Sequence, residues 1–203
     1  NFLLALTRDA TSLGDRLVVL ALCVVDRGCA IPVAWTILPA GQKRAWRCAW
    51  FRMLRLLRPA VPASWTVLVL ADCGVDARWR FRRMARLGWH PFLRINQGGT
   101  FRLAGQARCV WWSTLVGAAG RRWRGRGTAF ASSDCRLDGT LAAWWSDGHA
   151  EPWLVLTDRD PDGCDAPWDA LRSWCDQRGK GAKRGGWQWQ QTQMTNPARA
   201  SRR

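Results

Sequence analysis

The sequence predicts a mixed α/β fold: an open mixed sheet flanked by helices, with a β-rich stretch set in before the last helix. Three observations predict it. Apolar runs joined by short turns fill the chain as far as Leu38. Near Trp46 the apolar spacing changes from strand-like to helical. From Asn96 to His149 glycines cut the chain into short runs. At 203 residues, 48% apolar and 23% charged, the chain has a folding composition and enough length to bury a substantial core.

The elements follow in order. Phe2 to Leu6 is a short apolar run that reaches Asp9, with a turn around Gly14. Leu17 to Val25 is the second strand, Asp26-Arg27-Gly28 a turn, and Cys29 to Leu38 the third strand. Turns this short predict an antiparallel meander. Trp46, Trp50, Met53, Leu54 and Leu57 then recur at helical spacing, with arginines between them, and Pro59 stops the helix. Trp65 to Leu70 ends in Asp72 and predicts a strand buried on both faces. A basic helix follows from about Asp76 to Leu87, with Ala77, Phe81, Met84 and Ala85 inward, and Pro91 to Ile95 is the next strand. Cys109 to Trp112 and Thr128 to Ala131 are short runs of the β-rich stretch. Trp153 to Leu156 is the last strand, Asp158 to Pro167 an acidic loop, and a final helix starts near Pro167. The organisation predicted is a core of residues 1–97 and 153–203 with an insertion over 98–152. The basic tail closes the second part of the core.

Composition narrows the function classes. The longest apolar run, Leu17 to Val25, is far short of the roughly 20 residues a membrane helix needs. Eight cysteines include no C-x-x-C pair, so zinc is not expected, and most of them should be reduced thiols in or near an intracellular core. The net charge of +16 predicts a polyanionic partner. It clusters in Arg78, Arg80, Arg82, Arg83 and Arg86, in Arg121, Arg122, Arg124 and Arg126, and near the carboxyl end. The chain holds 28 Arg against 3 Lys, 14 Asp against one Glu, and 16 Trp but no Tyr. Any site that ordinarily needs Glu or Tyr must here use something else.

Asp9 and Asp72 each follow an apolar, strand-type run. Two carboxylates side by side at strand ends repel unless a hard divalent cation lies between them. Most strand-end aspartates are turn or cap residues, so further support is required. It comes from the last helix, where Asp169, Arg172, Asp176 and Lys183 fall within about a 60° sector. Trp168, Leu171, Trp174 and Cys175 form an adjoining apolar face.

These residues resemble the DDE transposases of bacterial insertion sequences, in particular the insertion-sequence-four group. Its signature is Tyr-x2-Arg-x3-Glu-x6-Lys. The segment Asp169-Ala-Leu-Arg172-Ser-Trp-Cys-Asp176-Gln-Arg-Gly-Lys-Gly-Ala-Lys183 keeps the spacing, the Arg and the Lys, and puts Asp at the Tyr and Glu positions. Asp9-Ala-Thr-Ser looks like the first acidic motif of the group, and Val69-Leu-Ala-Asp72-Cys-Gly like the second. Lys183-Arg184-Gly-Gly-Trp-Gln-Trp also looks like the sequence that follows in the family.

The resemblance implies an RNase H-like fold with a β-rich insertion before the last catalytic helix. It implies DNA transposition: metal-dependent cleavage and strand transfer at insertion-sequence ends, with Asp9, Asp72 and Asp176 holding two Mg²⁺ (or Mn²⁺) ions. Arg172, Lys183 and Arg184 would contact phosphates of double-stranded DNA, both transposon ends and target. The implied setting is the bacterial cytoplasm, at the nucleoid when DNA is bound, with no membrane and with a homodimer assembled on DNA. The family's amino-terminal DNA-binding region has no counterpart ahead of Asn1, so a catalytic-domain fragment is expected.

Asp176 is one methylene shorter than Glu, and a misplacement of about 1 Å can cost on the order of 10²-fold in rate. Asp169 sets a negative charge where a neutral aromatic is expected, so the enzyme is expected to be impaired or decayed. Glu151 precedes a strand candidate and not a helix, which disfavours it as the third acid. Two other readings stay open: a non-catalytic nucleic-acid-binding protein with structural acids, and an RNase H-like nuclease not tied to a mobile element.

Overall fold

A computed structural model describes residues 2–13, 15–26, 29–42, 45–72, 77–130, 136–164 and 197. The chain is mixed α/β: ten strands in mixed sheet, parallel and antiparallel, with two α-helices among the described residues. These residues form two compact units, one reaching Val67 and one beginning at Leu68. No helix among the described residues is long and apolar enough to cross a membrane.

The first unit is the expected meander. Strand β1 (Leu3–Leu13) pairs antiparallel with β2 (Leu17–Asp26), from Leu13 opposite Leu17 to Leu6 opposite Val24. Strand β3 (Cys29–Pro39) pairs with the other edge of β2 and bulges by one residue opposite Leu22/Cys23. Helix α1 (Ala45–Leu57) buries Trp50, Met53 and Leu54. A 3-10 turn over Arg58–Ala60 ends it, as Pro59 disfavours the helical conformation in the residue before it.

One element is longer than its apolar signal. The apolar run stops at Leu6, yet β1 continues to Leu13. Thr7, Thr11 and Ser12 add no apolar signal, but the apolar β2 supplies a complete ladder to pair with. Asp9 therefore lies inside β1, opposite Ala21, and not at a strand end.

In the second unit β4 (Thr66–Asp72) pairs parallel with β5 (His90–Arg94), and α2 (Ala77–Arg86) is the crossover between them. Val67 to Ala71 are all buried, as a run covered on both faces requires. Four further strands follow: β6 (Thr100–Leu103), β7 (Val110–Trp111), β8 (Arg122–Ala129) and β9 (Leu137–Trp144). The last is β10 (Trp153–Thr157). The order is β4-β5-β10-β9-β8-β6-β7, antiparallel except for β4–β5. Helix α2 turns Phe81 and Met84 inward. Ala85, expected inward with them, is exposed. Phe81 sits against Gly139 of β9, where an added Cβ would lie 3.2 Å from its ring and 2.5 Å from the Thr157 carbonyl. Residues of β9 on either side of Gly139 point to the opposite face of the sheet.

Strand β8 was expected only as the run Thr128 to Ala131. It starts six residues earlier, at Arg122, and takes in most of an arginine cluster. Arg122, Arg124 and Arg126 are exposed, and Gly127 and Ala129 are buried. Of the three cysteines whose side chains are described, two lie away from the core. Cys23 is buried in β2, whereas Cys48, on the outer side of α1, and Cys109, ahead of β7, are exposed.

Candidate functional site

Asp9 belongs to the first unit. Side chains alternate along β1, so Thr7, Asp9 and Thr11 share one face and Arg8 takes the other. The Arg8 guanidinium lies 4.1 Å from the centre of the Trp50 ring, which fixes the α1 side of the strand. Asp9 points to the side away from this stack. Thr11 Oγ1 donates to Asp9 Oδ2 at 3.1 Å, a bond that orients the carboxylate. Cys23, opposite Thr7, shares the Asp9 face. Burial, reinforced by the negative charge of Asp9, pushes its thiol from 9.0 up to about 11. Thiolate is the reactive form, and its fraction stays small until the pH nears 11. We expect Cys23 to be alkylated much more slowly at pH 8 than Cys48 or Cys109. Time-resolved peptide mass mapping after iodoacetamide would check it, and equal rates would refute the burial argument.

Asp72 is the last residue of β4, in the second unit, and its side chain is 57% exposed. The parallel register sets Arg94 of β5 directly beside it. Arg94 Nη1 lies 3.9 Å from Asp72 Oδ2, and the guanidinium stacks 4.1 Å over the buried Trp153 of β10. At that separation and exposure the ion pair adds little stability, about 0–1 kcal/mol. Its consequence is positional, since it holds a cation at the mouth of the strand. Arg80 of α2 donates to the Asp72 carbonyl at 3.3 Å, which ties the start of the crossover to the strand end.

Register places more than this pair on the same face. Arg94 is opposite Val155, Val155 opposite Ala142, and Ala142 opposite Arg124. Cross-strand partners share a face, so Asp72, Arg94 and Arg124 stand in one row. Four inter-strand steps make that row about 19 Å long. Arg122 and Arg126 flank it on β8, beside Trp144 and Thr140 respectively. The face is opposite to the one α2 covers through Gly139.

The other basic cluster is partly committed to structure. Arg82 donates to the Arg136 carbonyl at 3.0 Å, and Arg78 stacks 5.5 Å from the Phe130 ring. Helix α2, which carries one of the basic clusters, thus also clamps the segments that flank β8 and β9.

Of the expected site residues, Asp9 and Asp72 are placed in their separate units. Asp169, Arg172, Asp176, Lys183 and Arg184 lie outside the described residues. Among the described residues no three His, Cys, Asp or Glu side chains are grouped as metal ligands. Arg94 was not singled out from sequence. An arginine ending one strand carries no mark of its neighbour until the register of β4 and β5 is known.

No protein-family model matches the chain, and no curated protein matches it.

Proposed function

We propose that the chain is the RNase H-like catalytic domain of a DNA transposase similar to the insertion-sequence-four group, impaired by its third acid. The observation that carries the reading is Asp72. It ends a buried strand that runs parallel to its neighbour and is followed by a crossover helix, and the signature spacing Arg172-x3-Asp176-x6-Lys183 is kept further along the chain.

The donor set suits hard cations, because every expected ligand is a carboxylate. Asp9, Asp72 and Asp176 would hold Mg²⁺ or Mn²⁺, which when bound supplies Lewis-acid activation of a water or 3′-hydroxyl and of the leaving oxygen. Thr11 orients Asp9 by its hydrogen bond. Arg172, Lys183 and Arg184 bind phosphates of the transposon end. Arg94, held on Trp153, can turn from Asp72 to a phosphate at the same strand end without leaving the ring. Asp176 reaches less far than Glu would.

The deciding experiment is Mg²⁺- or Mn²⁺-dependent nicking of the cognate end DNA by the wild type and by Asp176→Glu. A gain on the order of 10²-fold in the variant is expected, which is what about 1 Å of restored reach supplies. No gain would show that Asp176 is not a shortened catalytic acid.

One observation favours a second reading, a nucleic-acid-binding protein without catalysis. Asp72 already has a cation beside it in Arg94, so it can serve as an ordinary structural pair. That reading expects salt-sensitive DNA binding indifferent to Asp9→Ala and to divalent metal. A nuclease unconnected with mobile elements would share the metal chemistry, and the absence of inverted repeats around its gene would single it out.

A further inference from the structure

The acidic turn after β10 is pinned, and its carboxylates reach the arginines of β8. Three bonds hold the turn. Thr140, fully buried on β9, donates from its hydroxyl to the Arg159 carbonyl at 2.5 Å. Thr157, also fully buried, accepts from the Arg159 amide at 3.3 Å. His90 Nδ1 and Asp158 Oδ1 are 3.0 Å apart. From this anchor Asp160 Oδ1 accepts from Arg126 Nη1 at 2.9 Å, and the Asp158 carbonyl accepts from the same nitrogen at 3.4 Å. Asp162 Oδ1 lies 3.8 Å from Arg124 Nη2.

We propose that the row Arg122, Arg124 and Arg126 is a contact surface for a nucleic-acid backbone, with Asp160 and Asp162 occupying it in place of phosphates until nucleic acid displaces them. Alternate strand residues repeat at about 6.8 Å, so the three exposed guanidiniums make an evenly spaced line of positive charge along one face of β8. The row is exposed, shares its face with Arg94 and Asp72, and is held along its whole length by the β9 ladder, β6 taking the other edge from Gly127 to Ala129. Surface pairs of this kind are weak, so they yield readily to a polyanion that engages all three arginines at once. The inference rests on the DNA-binding part of the proposed function and not on cleavage.

The test measures duplex-oligonucleotide binding by fluorescence anisotropy across a salt series for five proteins. They are the wild type, Asp160→Asn/Asp162→Asn, Arg124→Gln/Arg126→Gln, the four-fold combination, and the control Asp15→Asn/Asp26→Asn. The control makes the same charge change at exposed acids of the first unit. Neutralising Asp160 and Asp162 is expected to tighten binding by about 2- to 10-fold, beyond the control. The arginine variant should bind more weakly, with a log–log salt slope shallower by about 2. In the four-fold variant the gain from the acid changes should vanish. A gain no larger than the control's, or one that persists without the two arginines, overturns the proposal while leaving DNA binding in place. Failure of all five proteins to bind DNA overturns the DNA-binding reading and this inference with it.

Discussion

Asp72→Ala is expected to lower metal-dependent nicking of end DNA by about 10³-fold, roughly 4 kcal/mol of transition-state stabilisation, while DNA affinity is kept or rises slightly. In the proposed site Asp72 is one of three carboxylates that hold the cation, so its removal takes away the group on which activation of nucleophile and leaving oxygen depends. Binding survives for a separate reason. The arginines that meet phosphate stay in place, and Arg94 remains stacked on Trp153 when its carboxylate partner is gone. Nicking assayed by gel, with anisotropy on the same preparations, separates the two effects. Equal nicking by Asp72→Ala and wild type would refute the metal role and favour the purely binding reading. Asp9→Ala is expected to behave in the same way, because it supplies the second carboxylate.

Gly127→Ala is expected to destabilise the protein by about 3 kcal/mol and to lower Tm by roughly 10 °C. Gly127 lies where β8 is squeezed between β6 and β9. A Cβ there would sit 2.1 Å from the Arg102 carbonyl oxygen and 2.8 Å from the edge of the fully buried Phe101 ring. The carbonyl belongs to backbone, so relief requires β6 and β8 to move apart, which breaks the Leu103–Gly127 register. Circular dichroism melting tests this against Gly41→Ala, where nothing lies within 4 Å of the added carbon. Indistinguishable melting of the two variants would show that the strand spacing is softer than its geometry implies.

The same glycine explains why β8 was hard to read. Arg122, Arg124 and Arg126 alternate with Trp123 and Gly125, a period-two pattern, but Gly125 and Gly127 are the residues a strand reading discounts. The close approach of β6 gives Gly127 a positive reason to be there. α1 and β4 were legible because their burial follows directly from periodicity and from an unbroken apolar run. The second half of β1 was not, since its partner β2 carries the apolar content and Thr7 to Ser12 form no apolar run of their own. In the candidate site Asp9 and Asp72 were legible as carboxylates near apolar runs. The Arg94 neighbour of Asp72, and the Asp160 and Asp162 partners of Arg126 and Arg124, were not.

The sequence by itself determined the α/β class, the early meander, the helix that ends before Pro59, the basic surplus and the spacing of the candidate motif. Each of these is written in local periodicity or in composition. Tertiary structure alone decided that Asp9 sits within a strand, that Asp72 has a guanidinium beside it, and that the β8 arginines share a face with both Asp72 and an acidic turn. The physical reason is register. Which residues of two strands stand side by side depends on pairings between segments far apart in the chain, and no local pattern encodes that choice.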